Sequence, residues 1–155
     1  MVNFRGMSKS EYDDYYKESL QSLVNELARA YDLSEGEALE IARKSFEKLL
    51  PEGHPAAPDQ FLYVIEESRR TIGVLWFGIK RDRQVPEAYI WDIFIKPEFR
   101  GKGFGKQALL ALEEEVKSLG LFRISLNVFG HNDVAQRMYK RLAYRTVSNA
   151  MAKNL

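Results

Sequence analysis

The sequence contains no cysteine and only two histidines, His54 and His131, which lie far apart along the chain. The absence of cysteine excludes disulfide bonds and cysteine-based zinc sites. Two isolated histidines give no spacing typical of a metal-binding motif, so we expect no bound metal.

The chain also lacks a charge excess and a long apolar run. It has 23 Lys and Arg against 22 Asp and Glu, a net charge of +1, which argues against nucleic acid or an anionic membrane as a partner. No apolar run approaches the roughly 18 residues of a membrane span, and the N-terminus has no apolar segment like that of a signal peptide. These absences predict a cytoplasmic protein.

With 155 residues, the chain is expected to form a single domain, 1–155. Capping-box spacing and apolar periodicity predict two helices between residues 8 and 50. The apolar and β-branched segments that follow predict a hairpin and then a buried strand, interrupted only by Asp92. The complete series is a hairpin at 61–67 and 71–79, a strand at 88–95, a helix at 103–119, a strand at 121–129, a helix at 132–142, and two closing strands in YRTVS and NAMAKNL.

This order of elements predicts an α/β (or α+β) domain around one central sheet. At its middle, a glycine-rich loop with three basic residues joins the strand at 88–95 to the following helix. Unpaired N–H groups and the helix dipole make such a helix start a site for phosphate. The loop is not a P-loop, because Gln107 follows Lys106 where Ser or Thr belongs, and Lys106 also replaces the third glycine of a dinucleotide fingerprint.

Two motifs together resemble the GNAT superfamily of N-acetyltransferases. The first is R-G-x-G-x-G at 100–105, preceded by an apolar strand that ends in I-K-P-E. The second spans 126–144, where the family pattern is matched by Leu126, Val128, Asn132, Ala135 and Tyr139. The chain departs from that pattern at Ala143-Tyr144, where the family has Gly-Phe.

The resemblance implies a single GNAT-like domain with a mostly antiparallel mixed sheet of about 6–7 strands and about four helices. The sheet is expected to splay between the strands at 88–95 and 121–129. Residues 88–144 would form the acetyl-CoA-binding core, and the helices of 8–50 the acceptor side. The implied activity is acetyl-CoA-dependent transfer of an acetyl group to a primary amine. The alternative is an acyl-CoA-binding module with little catalysis, acting as a sensor or scaffold.

The resemblance also assigns the residues that hold acetyl-CoA. The pantetheine arm would lie along the main chain of the strand, and the pyrophosphate on the glycine loop and the first turn of the helix. Asn132, Ala135 and Tyr139 would contact the co-substrate from the last helix. The strand and loop positions are Ile93, Phe94, Ile95, Arg100, Gly101, Lys102, Gly103, Phe104, Gly105 and Lys106.

Two residues are candidates for catalysis. Tyr139 matches the family tyrosine near the thioester sulfur and is either the general acid or a core aromatic. Asp92 is either the group that anchors or deprotonates the amine, or a strand residue bound to backbone or to an arginine. Weaker candidates for the base are Glu87, His54 and His131. The acceptor amine stays open, as does the choice between monomer and homodimer.

Overall fold

The computed structural model describes all 155 residues. No helix combines the length and the apolar character needed to cross a membrane. The elements in chain order are β1 Val2–Gly6, α1 Lys9–Tyr31, α2 Glu35–Leu49, β2 Gln60–Glu67, β3 Arg70–Lys80, β4 Glu87–Ile95, a 3-10 turn Pro97–Phe99, α3 Phe104–Ser118, β5 Ile124–Leu126 and α4 Asp133–Arg141.

The first two helices begin where their capping boxes predict. At α1, the Ser8 hydroxyl accepts from the Glu11 N–H, and the Glu11 carboxylate accepts from the Ser8 N–H. Ser34 and Glu37 form the same pair of bonds at α2. Each box satisfies N–H groups that the helix itself leaves unpaired.

The sheet has five strands in the order β1-β2-β3-β4-β5, fewer than the 6–7 predicted. All neighbours are antiparallel except β4 and β5, which are parallel. The prediction missed β1, since its short run of mixed residues carries little periodicity. It was wrong about the two closing strands, because no residue after α4 forms a strand.

Two apolar layers cover the sheet. One packs α3 against the strands, with Leu109 and Leu112 fully buried over Ile72, Leu75 and Phe77. The other packs α1 and α2 against the opposite face, where Tyr12, Phe46 and Trp76 are buried together. Tyr31, at the end of α1, is 54% exposed.

The predicted divergence between the fourth and fifth strands is confirmed. β4 and β5 are paired only from Ala88 opposite Ile124 to Ile90 opposite Leu126. Beyond Ile90, β4 remains paired with β3 as far as Ile95, but it has no partner on its other side. β5 is therefore much shorter than the predicted 121–129, and a V-shaped opening separates the two strands.

A bulge in β4 decides which way its side chains point. Trp76 lies opposite Asp92 and Phe77 opposite Ile90, so Trp91 is an extra residue without a partner in β3. Such a bulge changes the alternation of side chains along the strand. Ile90 and Ile93 consequently contact the α3 layer, whereas Asp92 is directed to α1, as its contact with that helix shows below.

Candidate active site

The glycine loop forms an open turn at the start of α3. Gly101 and Gly103 have φ values of +72° and +82°, a conformation that side chains with a Cβ rarely adopt. A Cβ at either position would meet nothing within 4 Å, so the space beside the turn is free. Gly103 is the N-cap and provides no side-chain cap, which leaves the first N–H groups of α3 available to an anion.

The third glycine of the loop, Gly105, is required for packing and not for a left-handed backbone. A Cβ on Gly105 would lie 3.3 Å from the Met138 sulfur and 3.9 Å from the Ile95 side chain. Gly105 therefore allows α3 to approach α4 and the end of β4 closely. Phe104 packs into the α3 layer and stacks edge-on against Phe99, so only its main chain faces the turn.

The basic residues of the loop are placed around its entrance. Arg100 Nε donates to the Ile95 carbonyl at 2.7 Å, and its guanidinium lies 5.0 Å from the centre of the exposed Phe94 ring. Lys102 Nζ donates to the Glu98 carbonyl at 3.1 Å. Lys106 is exposed on the first turn of α3. The loop thus offers positive charge around unpaired N–H groups, a combination suited to phosphate.

Asn132 caps α4, as its position predicts. Its Oδ1 accepts from the Ala135 N–H at 3.2 Å. Asn132 also lines an open cleft of about 360 Å³, together with Asn25, Glu26, Arg29 and His131. The cleft joins the last turns of α1 to the loop between β5 and α4.

Tyr139 lies on the buried face of α4. It is 9% exposed, packs in the α3 layer and meets Tyr144 edge-on with ring centres 5.5 Å apart. Burial raises the pKa of Tyr139, and the neighbouring Tyr144 and Asp92 raise it further. The phenol is therefore protonated at neutral pH and able to donate. Tyr139 is a core aromatic and a potential proton donor at once, since neither role excludes the other.

The turn after α4 keeps its geometry despite the missing glycine. Ala143 adopts a left-handed φ of +65°, and its N–H donates to the Lys140 carbonyl at 3.1 Å. A residue with a Cβ pays roughly 1–2 kcal/mol for this conformation. Tyr144 still reaches the Tyr139 carbonyl with its N–H at 3.0 Å.

Asp92 faces α1, where it accepts a hydrogen bond of 2.8 Å from the Tyr15 hydroxyl. Burial raises the pKa of Asp92 to about 6, the Tyr15 hydrogen bond opposes this rise, and the charge of Glu26 adds to it. No arginine or lysine pairs with this carboxylate, but a hydrogen bond from the Ile93 backbone to it also opposes the rise in its pKa. A bond to backbone was one form of the structural alternative. A carboxyl group with a pKa near neutrality suits proton transfer at physiological pH.

The other candidates for the base are engaged elsewhere. Glu87 is 7% exposed; its carboxylate lies 2.9 Å from Arg123 and accepts from the Ser125 hydroxyl at 2.9 Å. His54 Nδ1 accepts from the Ala56 N–H at 3.0 Å in an exposed loop. His131 stacks on Phe129 and lines the cleft, so it alone lies near the site.

Sequence reasoning did not identify Tyr15 or Glu26. Tyr15 is 8% exposed and lies three residues after Tyr12, so helical periodicity offered a signal for its burial but none for its bond to Asp92. Burial raises the pKa of Glu26, and the nearby His131 opposes that rise. Nothing in the spacing of acidic residues along α1 distinguishes Glu26.

The divergent sheet and the open glycine turn before α3 are features that the resemblance implied, and comparison with known proteins gives the family. The model of the Acetyltransferase (GNAT) family matches residues 20–144. The chain belongs to the GNAT family of acetyltransferases.

Two relatives match nearly the whole chain. The uncharacterised N-acetyltransferase YycN of Bacillus subtilis strain 168 is 29% identical over 96% of this chain and 96% of its own. The uncharacterised N-acetyltransferase YdgE of the same organism is 28% identical over 96% of this chain and 95% of its own.

Solved structures agree with this family. The crystal structure of YycN superposes with a TM-score of 0.92 at 28% identity, covering 100% of this chain and 99% of that one. The aminoglycoside acetyltransferase AAC(6')-Iy, in complex with a CoA bisubstrate analogue, has a TM-score of 0.63 at 16% identity over 100% and 98% of the two chains. This second likeness concerns the fold alone.

Proposed function

We propose that the protein is an acetyl-CoA-dependent N-acetyltransferase that moves an acetyl group to a primary amine of a small molecule or peptide. One observation carries the proposal. β4 borders the opening between β4 and β5, carries Asp92 and leads into the open glycine turn, and Tyr139 is buried in the cluster against which Ile93 and Ile95 of the same strand pack. This arrangement supports a donor site, a base and an acid around one gap.

The co-substrate side is assigned to residues 88–144. The free space beside Gly101 and Gly103 would admit a pyrophosphate against the N–H groups of Gly101 to Gly105, with Lys106 adding charge. The Arg100 N–H already donates to the Pro97 carbonyl at 3.2 Å, so Arg100 would contribute through its side chain. The unpaired edge of β4 at Ile93 to Ile95 would hold the pantetheine arm through main-chain bonds, as an added strand does. The Ile95 carbonyl already accepts from Arg100, so Ile93 and Phe94 carry more of that pairing. Asn132 and Ala135 would complete the contact from α4.

In the proposed reaction, the acceptor amine attacks the acetyl-CoA thioester directly. An acceptor that arrives as an ammonium ion first gives one proton to solvent. The neutral amine nitrogen then bonds to the acetyl carbon and the carbon–sulfur bond breaks, while Asp92 takes a second proton from that nitrogen, directly or through water. The Tyr139 hydroxyl gives its proton to the departing sulfur, and solvent exchange restores both groups. The raised pKa of Asp92 makes it a stronger base than an ordinary carboxylate, and that of Tyr139 keeps the donor protonated.

The acceptor side is assigned to the helices of 8–50. Tyr15 and Glu26 bring polar groups of α1 to Asp92, and the cleft at Arg29 and His131 opens beside them. The Asp92 and Glu26 carboxylates have no cationic partner, so they favour an acceptor that arrives as an ammonium ion.

The test is release of free thiol from acetyl-CoA in the presence of a panel of polyamines, amino acids, aminoglycosides and N-terminal peptides. We expect amine-dependent release with at least one class, and loss of that release in Asp92→Asn. Binding of CoA by calorimetry without turnover on any amine would instead support the non-catalytic acyl-CoA-binding module. Absence of both would contradict the assignment of the glycine turn.

A further inference from the structure

The cleft between the C-terminal half of α1 and the loop before α4 is entirely polar. It has a volume of about 360 Å³, and none of its five lining residues, Asn25, Glu26, Arg29, His131 and Asn132, is apolar. Sites for drug-like ligands and cofactors are, in contrast, lined mainly by hydrophobic and aromatic side chains. The composition of this cleft therefore indicates a small occupant that carries charge.

The two charged residues of the cleft are both left without an ionic partner. Glu26 and Arg29 are three residues apart on α1, a spacing at which ion pairs form, and Glu114 and Lys117 make such a pair on α3. Glu26 and Arg29 do not pair with each other or with any other charged residue. Glu26 is also partly buried, where a charge without a partner is costly. The cleft thus holds one unpaired carboxylate and one unpaired guanidinium side by side.

The other groups that the cleft offers to a ligand are hydrogen-bond donors. The Asn132 side-chain oxygen already accepts from the Ala135 N–H at 3.2 Å, so its NH₂ group is the part left for a ligand. His131 adds an imidazole N–H, and the planar fork of Arg29 matches a carboxylate with two parallel bonds. A carboxylate therefore fits these donors and an ammonium fits Glu26. An α-amino acid carries both groups on one carbon.

The cleft adjoins Asp92 without including it. Tyr15, which bonds to Asp92, lies on the same face of α1 as Glu26 and Arg29, and the charge of Glu26 raises the pKa of Asp92. Arg29 comes fourteen residues after Tyr15, a rise of about 21 Å along the helix, which is more than these two side chains together can span. A ligand held at Arg29 consequently reaches Asp92 only through a chain of several atoms.

We infer that the acceptor is an amino acid whose reactive amine stands at the end of its side chain, as in lysine or ornithine, and that the cleft binds its α-amino and α-carboxylate groups. This inference rests on the proposed N-acetyltransferase function. The α-carboxylate binds to Arg29, His131 and the Asn132 NH₂ group, and the α-ammonium binds to Glu26.

The side chain of the acceptor extends from the cleft toward Asp92. Its terminal nitrogen, after giving one proton to solvent, bonds to the acetyl carbon and gives a second proton to Asp92, and CoA leaves as the thiol. Polyamines and aminoglycosides have no carboxylate to place on Arg29, so they should be poorer acceptors.

Calorimetry on the protein saturated with CoA tests the cleft without turnover. Lysine carries both head groups, cadaverine lacks the carboxylate, and 6-aminohexanoate lacks the α-ammonium. Ornithine, putrescine and 5-aminopentanoate form the same set with a chain one carbon shorter. Because each missing group removes a hydrogen bond to a charge, we expect the amino acid of at least one set to bind about tenfold or more tightly than its two analogues.

Two substitutions should separate the head groups. Arg29→Gln should weaken binding of lysine and 6-aminohexanoate and leave cadaverine unchanged, whereas Glu26→Gln should weaken lysine and cadaverine and leave 6-aminohexanoate unchanged. Arg43→Gln and Glu47→Gln make the same two changes in a second open cleft, on α2, and should alter none of these affinities.

Thiol release from acetyl-CoA with the same amines distinguishes this inference from the proposed function. We expect kcat/KM for the amino acid to exceed that for its diamine by about tenfold or more, and this preference to disappear in Arg29→Gln. If the diamines are acetylated as efficiently as the amino acids, or if Arg29→Gln keeps the preference, the inference is overturned and the N-acetyltransferase function stands. If the amino acid binds in the expected pattern but no amine is acetylated, the amino-acid site is supported and the proposed catalysis is contradicted.

Discussion

Two parts of the candidate site differ in where their functional groups come from. One is the glycine turn at 100–105, and the other is the α1 wall, formed by Tyr15 and Glu26 beside Asp92. The turn uses consecutive residues, and its chemistry lies in main-chain N–H groups and in the free space beside Gly101 and Gly103. The α1 wall uses side chains that meet across the fold: Tyr15 bonds to Asp92 over 77 positions of sequence. The first kind of site is visible in a short motif, whereas the second exists only after folding.

The comparison predicts different responses to mutation. Changes in the turn should weaken co-substrate binding and spare the chemistry. Changes around Asp92 and Tyr139 should impair the chemistry and spare co-substrate binding. The four predictions below test this separation.

The largest effect is expected at Tyr139. Tyr139→Phe keeps the packing of α4 and removes the proton donor, so kcat should fall by about 10²–10⁴ with little change in CoA affinity. The control is Tyr144→Phe, which removes a buried hydroxyl without a hydrogen-bond partner and should leave kcat unchanged. Full turnover by Tyr139→Phe would show that Tyr139 is only a core aromatic and not the proton donor.

The next effect concerns Asp92. In Asp92→Asn we expect a raised KM for the amine and a kcat/KM lowered by about 10²-fold. The pH profile of kcat/KM should also lose its acidic limb near pH 6. The pKa of Asp92 is raised on folding, so above pH 6 its buried charge destabilises the fold. The variant should accordingly melt no lower than the native protein at pH 8.

Glu87→Gln is the comparison for this prediction. It breaks the ion pair between the buried Glu87 carboxylate and the exposed Arg123, so it should lower the melting temperature and leave the acidic limb in place. If Asp92→Asn behaves like Glu87→Gln, then Asp92 is a structural residue, and the base is to be sought at His131 or in bound water.

A moderate effect is expected from Gly103→Val. A branched side chain there fills the space beside the turn and opposes the left-handed φ of +82°. Because a hydrogen bond to a charged group contributes about 1.5–3 kcal/mol, calorimetric affinity for CoA should fall by about tenfold or more. Gly120→Val carries the same backbone strain, with φ +76°, at the other end of α3. Equal CoA affinity in the two variants would show that the CoA pyrophosphate does not bind at the glycine turn.

The smallest effect is a shift in pH dependence. Tyr15 donates to the charged form of Asp92 and so lowers its pKa. Tyr15→Phe should therefore move the acidic limb of kcat/KM to higher pH, by roughly half a unit to one unit for a bond worth about 1 kcal/mol. Tyr16→Phe, on the same helix, should not move it. If the acidic limb of the kcat/KM profile is unchanged in Tyr15→Phe, the hydrogen bond from Tyr15 to Asp92 does not influence the catalytic base.

Some parts of the molecule were predictable because their physics is local. Capping boxes at Ser8 and Ser34, the hairpin of β2 and β3, and the strand, turn and helix around Gly103 depend on residues within a few positions of one another. Helix starts, tight turns and alternation are all decided over such distances. These local features predict the glycine turn at the start of α3.

Other parts depended on contacts between distant segments. Simple alternation puts Asp92 on the same side as Ile90, and only the bulge at Trp91 directs it to Tyr15. The early end of β5 arises from its divergence from β4, and the residues after α4 form no strand. The sequence by itself determined the four helices, the hairpin, the turn and the family motifs. Tertiary structure decided which carboxylate meets which tyrosine and which sheet edge stays open, because both depend on strand register and on helices brought together from far apart in the chain.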